Sequence, residues 1–156
     1  MASTTGRGIA PLDGISHVQG APEAALSNAT IGALLSDTAA RFGGSRAAVF
    51  REQGVRWTWQ QMAREVDHLA AGLLALGLRA GDRLGIWSPN RFEWVLTQFA
   101  TARIGVILVN INPAYRLAEL EYALNISGCR AIVCAERLKS SNYLEMLRKL
   151  APELDA

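Results

Sequence analysis

Lysine is nearly missing: Lys139 and Lys149 are the only two in a chain of 156 residues, and arginine supplies almost all the positive charge. With a formal net charge of +2 and no basic stripe, the sequence gives no support to nucleic acid as a partner. Cysteine occurs only at Cys129 and Cys134, at either end of the apolar run RAIVC. On a strand, their odd spacing sends the side chains to opposite faces, so a bridge between them is excluded. Two buried reduced thiols in a reducing compartment, the cytoplasm, are expected. The two histidines, His17 and His68, stand far apart without carboxylates or thiols at ligand spacing, so no metal site is expected. Half the chain is hydrophobic, yet no apolar run reaches the roughly 18 residues a membrane span requires. The opening MASTTGRG has neither the basic start nor the apolar core of a secretory signal.

Catalytic signatures are missing as well. There is no GxGxxG and no GxxxxGK[ST]; Gly77, Gly81 and Gly85 are spaced as a helix stop, a turn and a small residue within a strand. Gly43 and Gly44 follow a helical pattern instead of opening one. No serine sits in a Gly-x-Ser-x-Gly elbow. Glu119 and Glu121 fall on different faces of one helix, which makes them poor partners for acid–base work. No catalytic, cofactor-binding or metal-ligating residue is therefore assigned.

What is present is an alternation of helical and strand periodicity. Thr30 precedes a helical pattern over 31–42, in which Ile31, Leu34, Leu35, Thr38 and Ala39 share the face expected to be buried. Residues 47–50 and 55–57 flank Glu52, Gln53 and Gly54, which predicts a β-hairpin near the start. Thr58 with Gln61 is a capping-box pattern, followed by apolar residues at Trp59, Met62, Val66, Leu69, Leu73 and Leu76. Gly77 supplies the stop. Residues 83–87 read as a buried strand, Asn90 as the N-cap of a helix burying Phe92, Val95, Leu96 and Phe99, and 106–109 as a second buried strand. A helix over 117–127, a third buried strand over 130–134 and a last helix facing inward through Tyr143, Met146, Leu147 and Leu150 complete the pattern. The class is α/β: helices on both sides of a mostly parallel sheet built from βαβ units. Residues 1–28 are expected to be an extended or disordered lead-in, and 29–156 a domain. No internal repeat or low-complexity segment interrupts it.

Open parallel sheets bind ligands beyond the carboxyl ends of their strands. Those ends offer Trp87, Asn90, Asn110, Asn112 and Tyr115, the candidate substrate-binding residues. The plain alternative is structural: Asn90 as a cap, and Asn112 with Pro113 as a turn.

Four segments carry a resemblance: RWTWQQM at 56–62, SPNRFEW at 88–94, ARIGVILVNINP at 102–113 and ELEYALNISG at 119–128. Together they resemble the amino-terminal part of the adenylate-forming acyl-CoA synthetases, the AMP-binding superfamily. The stretch from VQG at 18–20 to TIG at 30–32 is similar to the lead-in of its medium-chain branch. The resemblance implies a partial amino-terminal domain that stops short of the family's phosphate loop. It also implies a parent ligase roughly three times longer that uses ATP, Mg and coenzyme A on a fatty acid or other carboxylate. The expected partner is the remainder of the ligase polypeptide, and this chain alone is expected to bind no cofactor, to be inactive and to self-associate. The competing reading is a stand-alone, non-catalytic α/β binding or interaction module.

Overall fold

The computed structural model describes residues 26–155. Most of the lead-in expected over 1–28 therefore lies outside the described residues. Helix α1 (Ile31–Phe42) begins where Thr30 accepts the Ala33 amide through its side chain. Strands β1 (Arg46–Phe50) and β2 (Val55–Thr58) form the predicted antiparallel hairpin. Helix α2 (Trp59–Ala75) follows directly, and its capping box closes as the sequence predicts. The Gln61 amide donates to Thr58 Oγ1 at 3.3 Å, and the Thr58 amide to Gln61 Oε1 at 2.8 Å. A cap of this kind stabilises a helix by about 1 kcal/mol. Gly77 (φ 88°) takes the left-handed turn that ends it.

Strand β3 (Arg83–Trp87), helix α3 (Phe92–Ile104), strand β4 (Ile107–Asn110), helix α4 (Leu117–Ser127) and strand β5 (Ala131–Cys134) make two βαβ units. The strands are parallel in the order β4-β3-β5. Side-chain alternation then sorts two cores. Leu84, Leu108, Ala131 and Val133 face α2 and α3, where Met62, Val66, Ala70, Leu73, Leu96 and Ala100 are buried. Val109, Ile132 and Cys134 face the other way, against Leu120 of α4 and against Tyr143 and Leu147 of helix α5 (Tyr143–Leu150). Gly85 points to this second side because little else fits. A Cβ there would lie 3.0 Å from Ile111 Cδ1 and 3.4 Å from Cys129 Sγ. Three layers result, as the sequence predicts. Arg103 ties α1, α2 and α3 together, pairing with Asp67 at 2.9 Å and donating to the Gly32 carbonyl and the Ser36 hydroxyl.

Several details differ from the sequence reading. Only β3 is buried along most of its length, from Leu84 to Trp87; β4 and β5 are edges, half-buried, with Ile107 52 % exposed. Being hydrophobic did not distinguish a central strand from its neighbours. Leu76 lies past the last buried turn of α2 and is largely exposed, while Ala70, outside the predicted stripe, is buried. On α1 only Gly32 and Leu35 are buried, while Ile31 and Leu34 face outward. Both thiols are free and half-buried rather than buried. A two-residue hairpin, β6 (Arg137–Leu138) with β7 (Ser141–Asn142), stands between β5 and α5, and Lys139 turns it with a positive φ of 50°.

Candidate functional site

The carboxyl ends of the strands lie between the β1–β2 turn, the residues leading into α3 and the β6–β7 hairpin. Two clefts open there and share Arg91. One, of about 410 Å³, is lined by Ser88, Arg91, Glu93, Cys134, Glu136 and Arg137 among others. The second, of about 580 Å³, runs past Phe50, Arg51, Glu52, Gln53, Asn90 and Leu138.

Asn90 is not the helix cap. The N-cap of α3 is Arg91, whose side chain makes no capping bond. The orphan amide of Phe92 instead donates to Gln53 Oε1 at 2.8 Å, from the tip of the hairpin 39 positions earlier. Gln53 Nε2 donates in turn to Glu93 at 2.8 Å, and Arg91 grips both oxygens of the same carboxylate at 3.1 and 3.2 Å. Partial burial pushes the Glu93 carboxyl upward, but the hydrogen bonds from Arg91 and Gln53 outweigh it and hold the group below the usual carboxylate range. The hydrogen bond and charge of Glu93 raise the Arg91 guanidinium correspondingly. Behind this network, Phe50, Trp57 and Phe92 meet edge to face, with centroids 5.3 to 6.3 Å apart. Sequence reasoning missed Gln53: nothing in the residues around position 53 signals a cap for a helix so far along the chain.

The predicted site residues do not all share one opening. Trp87 is fully buried; it stacks on Tyr143 at 3.7 Å and 13°, and its indole N–H donates to the Asn112 carbonyl at 3.0 Å. Asn112 spends its side chain on the turn, accepting the Ala114 amide at 2.9 Å, while the Tyr143 hydroxyl donates to the Pro113 carbonyl. Asn90 stands exposed in the second cleft. Asn110 and Tyr115 line a different opening of about 520 Å³, between β4 and α4. The five residues thus occupy three places: Trp87 with Asn112, Asn110 with Tyr115, and Asn90 by itself in the second cleft.

Three arginines line the strand-end clefts: Arg51, Arg91 and Arg137. Arg91 is committed to Glu93, and Arg137 pairs with Glu136 at 3.1 Å, whereas no carboxylate among the described residues pairs with Arg51. The first amide of α3 is already occupied by Gln53. Among the described residues no group of three histidines, cysteines or carboxylates could hold a metal ion. No helix among them is long and apolar enough to cross a membrane.

Comparison with known proteins accounts for this scaffold. The chain is 46 % identical over 145 residues to a mitochondrial medium-chain acyl-CoA ligase, ACSF2, of Mus musculus, covering 93 % of this chain and 24 % of that protein. It is 36 % identical over 131 residues to YngI, a putative acyl-CoA synthetase of Bacillus subtilis, covering 84 % of this chain and 24 % of the relative. Among solved structures, a putative long-chain-fatty-acid CoA ligase from Rhodopseudomonas palustris superposes with a TM-score of 0.70 at 27 % identity. The match covers 80 % of this chain and 30 % of that one. The N-terminal domain of FACL13 from Mycobacterium tuberculosis gives a TM-score of 0.66 at 30 % identity, covering 67 % of this chain and 26 % of that one. The sequence thus spans about a quarter of the length of these relatives. A family profile described as AMP-binding enzyme matches residues 35–156. The chain matches an amino-terminal portion of these enzymes and belongs to the AMP-binding enzyme family.

Proposed function

We propose that this chain is the amino-terminal part of a fatty-acid–CoA ligase. Such an enzyme activates a carboxylic acid with ATP to an acyl-adenylate and passes the acyl group to coenzyme A. The observation that carries the reading is the 46 % identity along 93 % of the chain to a medium-chain acyl-CoA ligase. It makes a medium-chain fatty acid the substrate of choice. Building an acyl-adenylate requires donors and cations placed on the phosphates. With Arg91 and Arg137 each held by its own carboxylate, ATP, Mg and coenzyme A are assigned to other parts of the ligase, which are also this chain's principal partner.

Within that enzyme the domain over 29–156 serves as scaffold, and Asn90 with the Arg91–Glu93–Gln53 network forms one wall beside the strand ends. Trp87 and Asn112 are assigned to holding that wall. The compartment proposed is the cytoplasm, on the two free thiols; cell fractionation would test it against the mitochondrial location of the mouse relative. The test of function is a chimera in which this chain replaces the matching quarter of the mouse ligase. ATP–pyrophosphate exchange with short-, medium- and long-chain fatty acids should appear in the chimera, strongest with medium chains, and be missing from the chain alone. A folded chimera without exchange, or purified chain that exchanges by itself, would overturn the assignment.

A further inference from the structure

The outer face of the β1–β2 hairpin holds a cleft that shares no lining residue with the strand-end clefts. Alternation along β2 sends Val55 and Trp57 inward and Arg56 and Thr58 outward. Trp57 packs on the first core and meets Phe50 edge to face. In β1, Phe50 pairs with Val55 and Val49 with Arg56, so an unbroken ladder would set Arg46 on the inward face with Ala48 and Phe50. The ladder is broken. Its register shifts between Arg46 and Ala48, and Arg46 pairs with Thr58. One extra residue, Ala47, packs against the first core and turns Arg46 outward onto the face of Arg56.

Arg46 and Arg56 are then diagonal neighbours, a spacing of about 7–8 Å that long side chains can bridge. Both line one cleft of about 220 Å³ with Gly44, Trp57, Thr58 and Gln61. No carboxylate lines it, and among the described residues neither guanidinium has a hydrogen-bond or ion-pair partner. Arg91, Arg103, Arg130 and Arg137 differ, for each faces a carboxylate of its own. Like charges at neighbouring cross-strand positions repel, and nothing lining the cleft offsets that.

The other polar groups of the cleft are already used. The Thr58 and Gln61 side chains close the capping box, and the Trp59 and Gln60 amides donate to the Ser45 and Gly43 carbonyls. Free bonding capacity therefore lies with the two guanidiniums, whose planar forks match the oxygens of a tetrahedral dianion. The approach is open, since a Cβ on Gly44 would meet nothing within 4 Å. At about 220 Å³ the cleft is smaller than the roughly 300–1,000 Å³ of sites that enclose a whole small molecule. It admits a phosphate group and leaves whatever is esterified to that group outside.

We infer that Arg46 and Arg56 form a binding site for a phosphate group, carried either by free inorganic phosphate or by a phosphatidate headgroup. The site does not depend on the ligase reading. Calorimetric titration with inorganic phosphate at constant ionic strength tests it, on the 156-residue chain and on the mouse-ligase chimera. Saturable binding with a Kd of about 1 mM or tighter is expected. Arg46→Gln and Arg56→Gln should each weaken it at least about tenfold, as each removes one fork. Arg79→Gln, at an exposed arginine away from the hairpin, should leave it unchanged. All three side chains are exposed, so circular dichroism should show the fold intact in every variant. In the chimera, the part of the binding that the Arg46 and Arg56 variants lose is the part assigned to the cleft. Cosedimentation with phosphatidylcholine vesicles, with and without phosphatidate, tells the two sources apart. Binding of free phosphate assigns the soluble source, and sedimentation with phosphatidate alone assigns the headgroup; either supports the site if both variants abolish it. No binding in either arm would overturn the inference. So would binding that survives both substitutions or falls equally with Arg79→Gln.

Discussion

Removing Tyr143 is the sharpest perturbation of the strand-end geometry. Its ring is fully buried and stacked on Trp87, and its hydroxyl donates to the Pro113 carbonyl. Together with the Trp87 indole bond to Asn112, this pins the turn after β4 from within the second core. Tyr143→Ala deletes an aromatic ring from a packed interior, at a cost of about 3–5 kcal/mol. Tyr143→Phe keeps the ring and the stack and removes one hydrogen bond, costing about 0.5–1.5 kcal/mol. Pro113 is half-buried, so water can reach its carbonyl and keep that cost near the lower end. Urea titration followed by far-ultraviolet circular dichroism would give the two costs. With an m-value of about 2 kcal/mol per molar, the alanine variant should lose about 2 M in midpoint and the phenylalanine variant well under 1 M. Amide exchange at Ala114 and Tyr115 should quicken in both variants, because both release Pro113. Equal losses in the two variants would refute the division between ring packing and hydroxyl. Unchanged exchange at 114 and 115 would refute the role assigned to the hydroxyl.

On α3, Leu96→Ala should cost about 2–5 kcal/mol, because Leu96 is buried against α2. Val95→Ala and Phe99→Ala should each cost less than Leu96→Ala, since those side chains are only half-buried, and Arg91→Ala little; denaturant midpoints rank the four. At high pH, burial holds the Cys134 thiol above its ordinary value, and burial and the Cys134 charge do the same for the Tyr143 hydroxyl. Both groups stay protonated longer in the folded chain than in the unfolded one. Stability from this source is therefore complete below the unfolded values of about 8.5 and 10 and is lost as pH rises through the folded ones. Midpoints measured across that range should fall less steeply in a Cys134→Ala, Tyr143→Phe double variant, and an unchanged slope would refute the linkage.

Where the fold rests on neighbours in sequence, it could be read in advance. The Thr58–Gln61 box, the left-handed stop at Gly77, and the helix bounds 31–42 and 117–127 are all as the periodicity predicts. What failed depends on partners distant in the chain. The strands 83–87, 106–109 and 130–134 are all apolar runs, and only the order β4-β3-β5 decides that the first is central and the others are edges. Arg83 shows the same limit. Its guanidinium donates to the Ser127 carbonyl at 3.0 Å and lies 2.8 Å from where a Cβ on Gly128 would sit, a helix end closed by a residue 44 positions away. No window of sequence contains both partners.

For the candidate site the limit is of another kind. Asn112 and Trp87 carry side chains suited to binding, and the rule that ligands gather at strand ends points to them correctly in space. Polar capacity at a strand end has a prior use, however, because the backbone leaving the sheet must satisfy its own amides and carbonyls before any ligand arrives. Asn112 closes its own turn, Trp87 bonds the Asn112 carbonyl, Gln53 caps α3, and Arg91 and Glu93 satisfy each other. Residue type at the right place therefore does not establish spare bonding capacity, and spare capacity is what a substrate needs. Asn90 is the member of the predicted set that is both exposed and within the shared strand-end clefts. On this reasoning Asn90→Ala in the mouse-ligase chimera should alter acyl-substrate KM with little change in stability. Asn112→Ala should lower stability and leave KM for the remaining folded enzyme unchanged. Reversal of that pattern would return Asn112 to the binding site and reduce Asn90 to a surface residue.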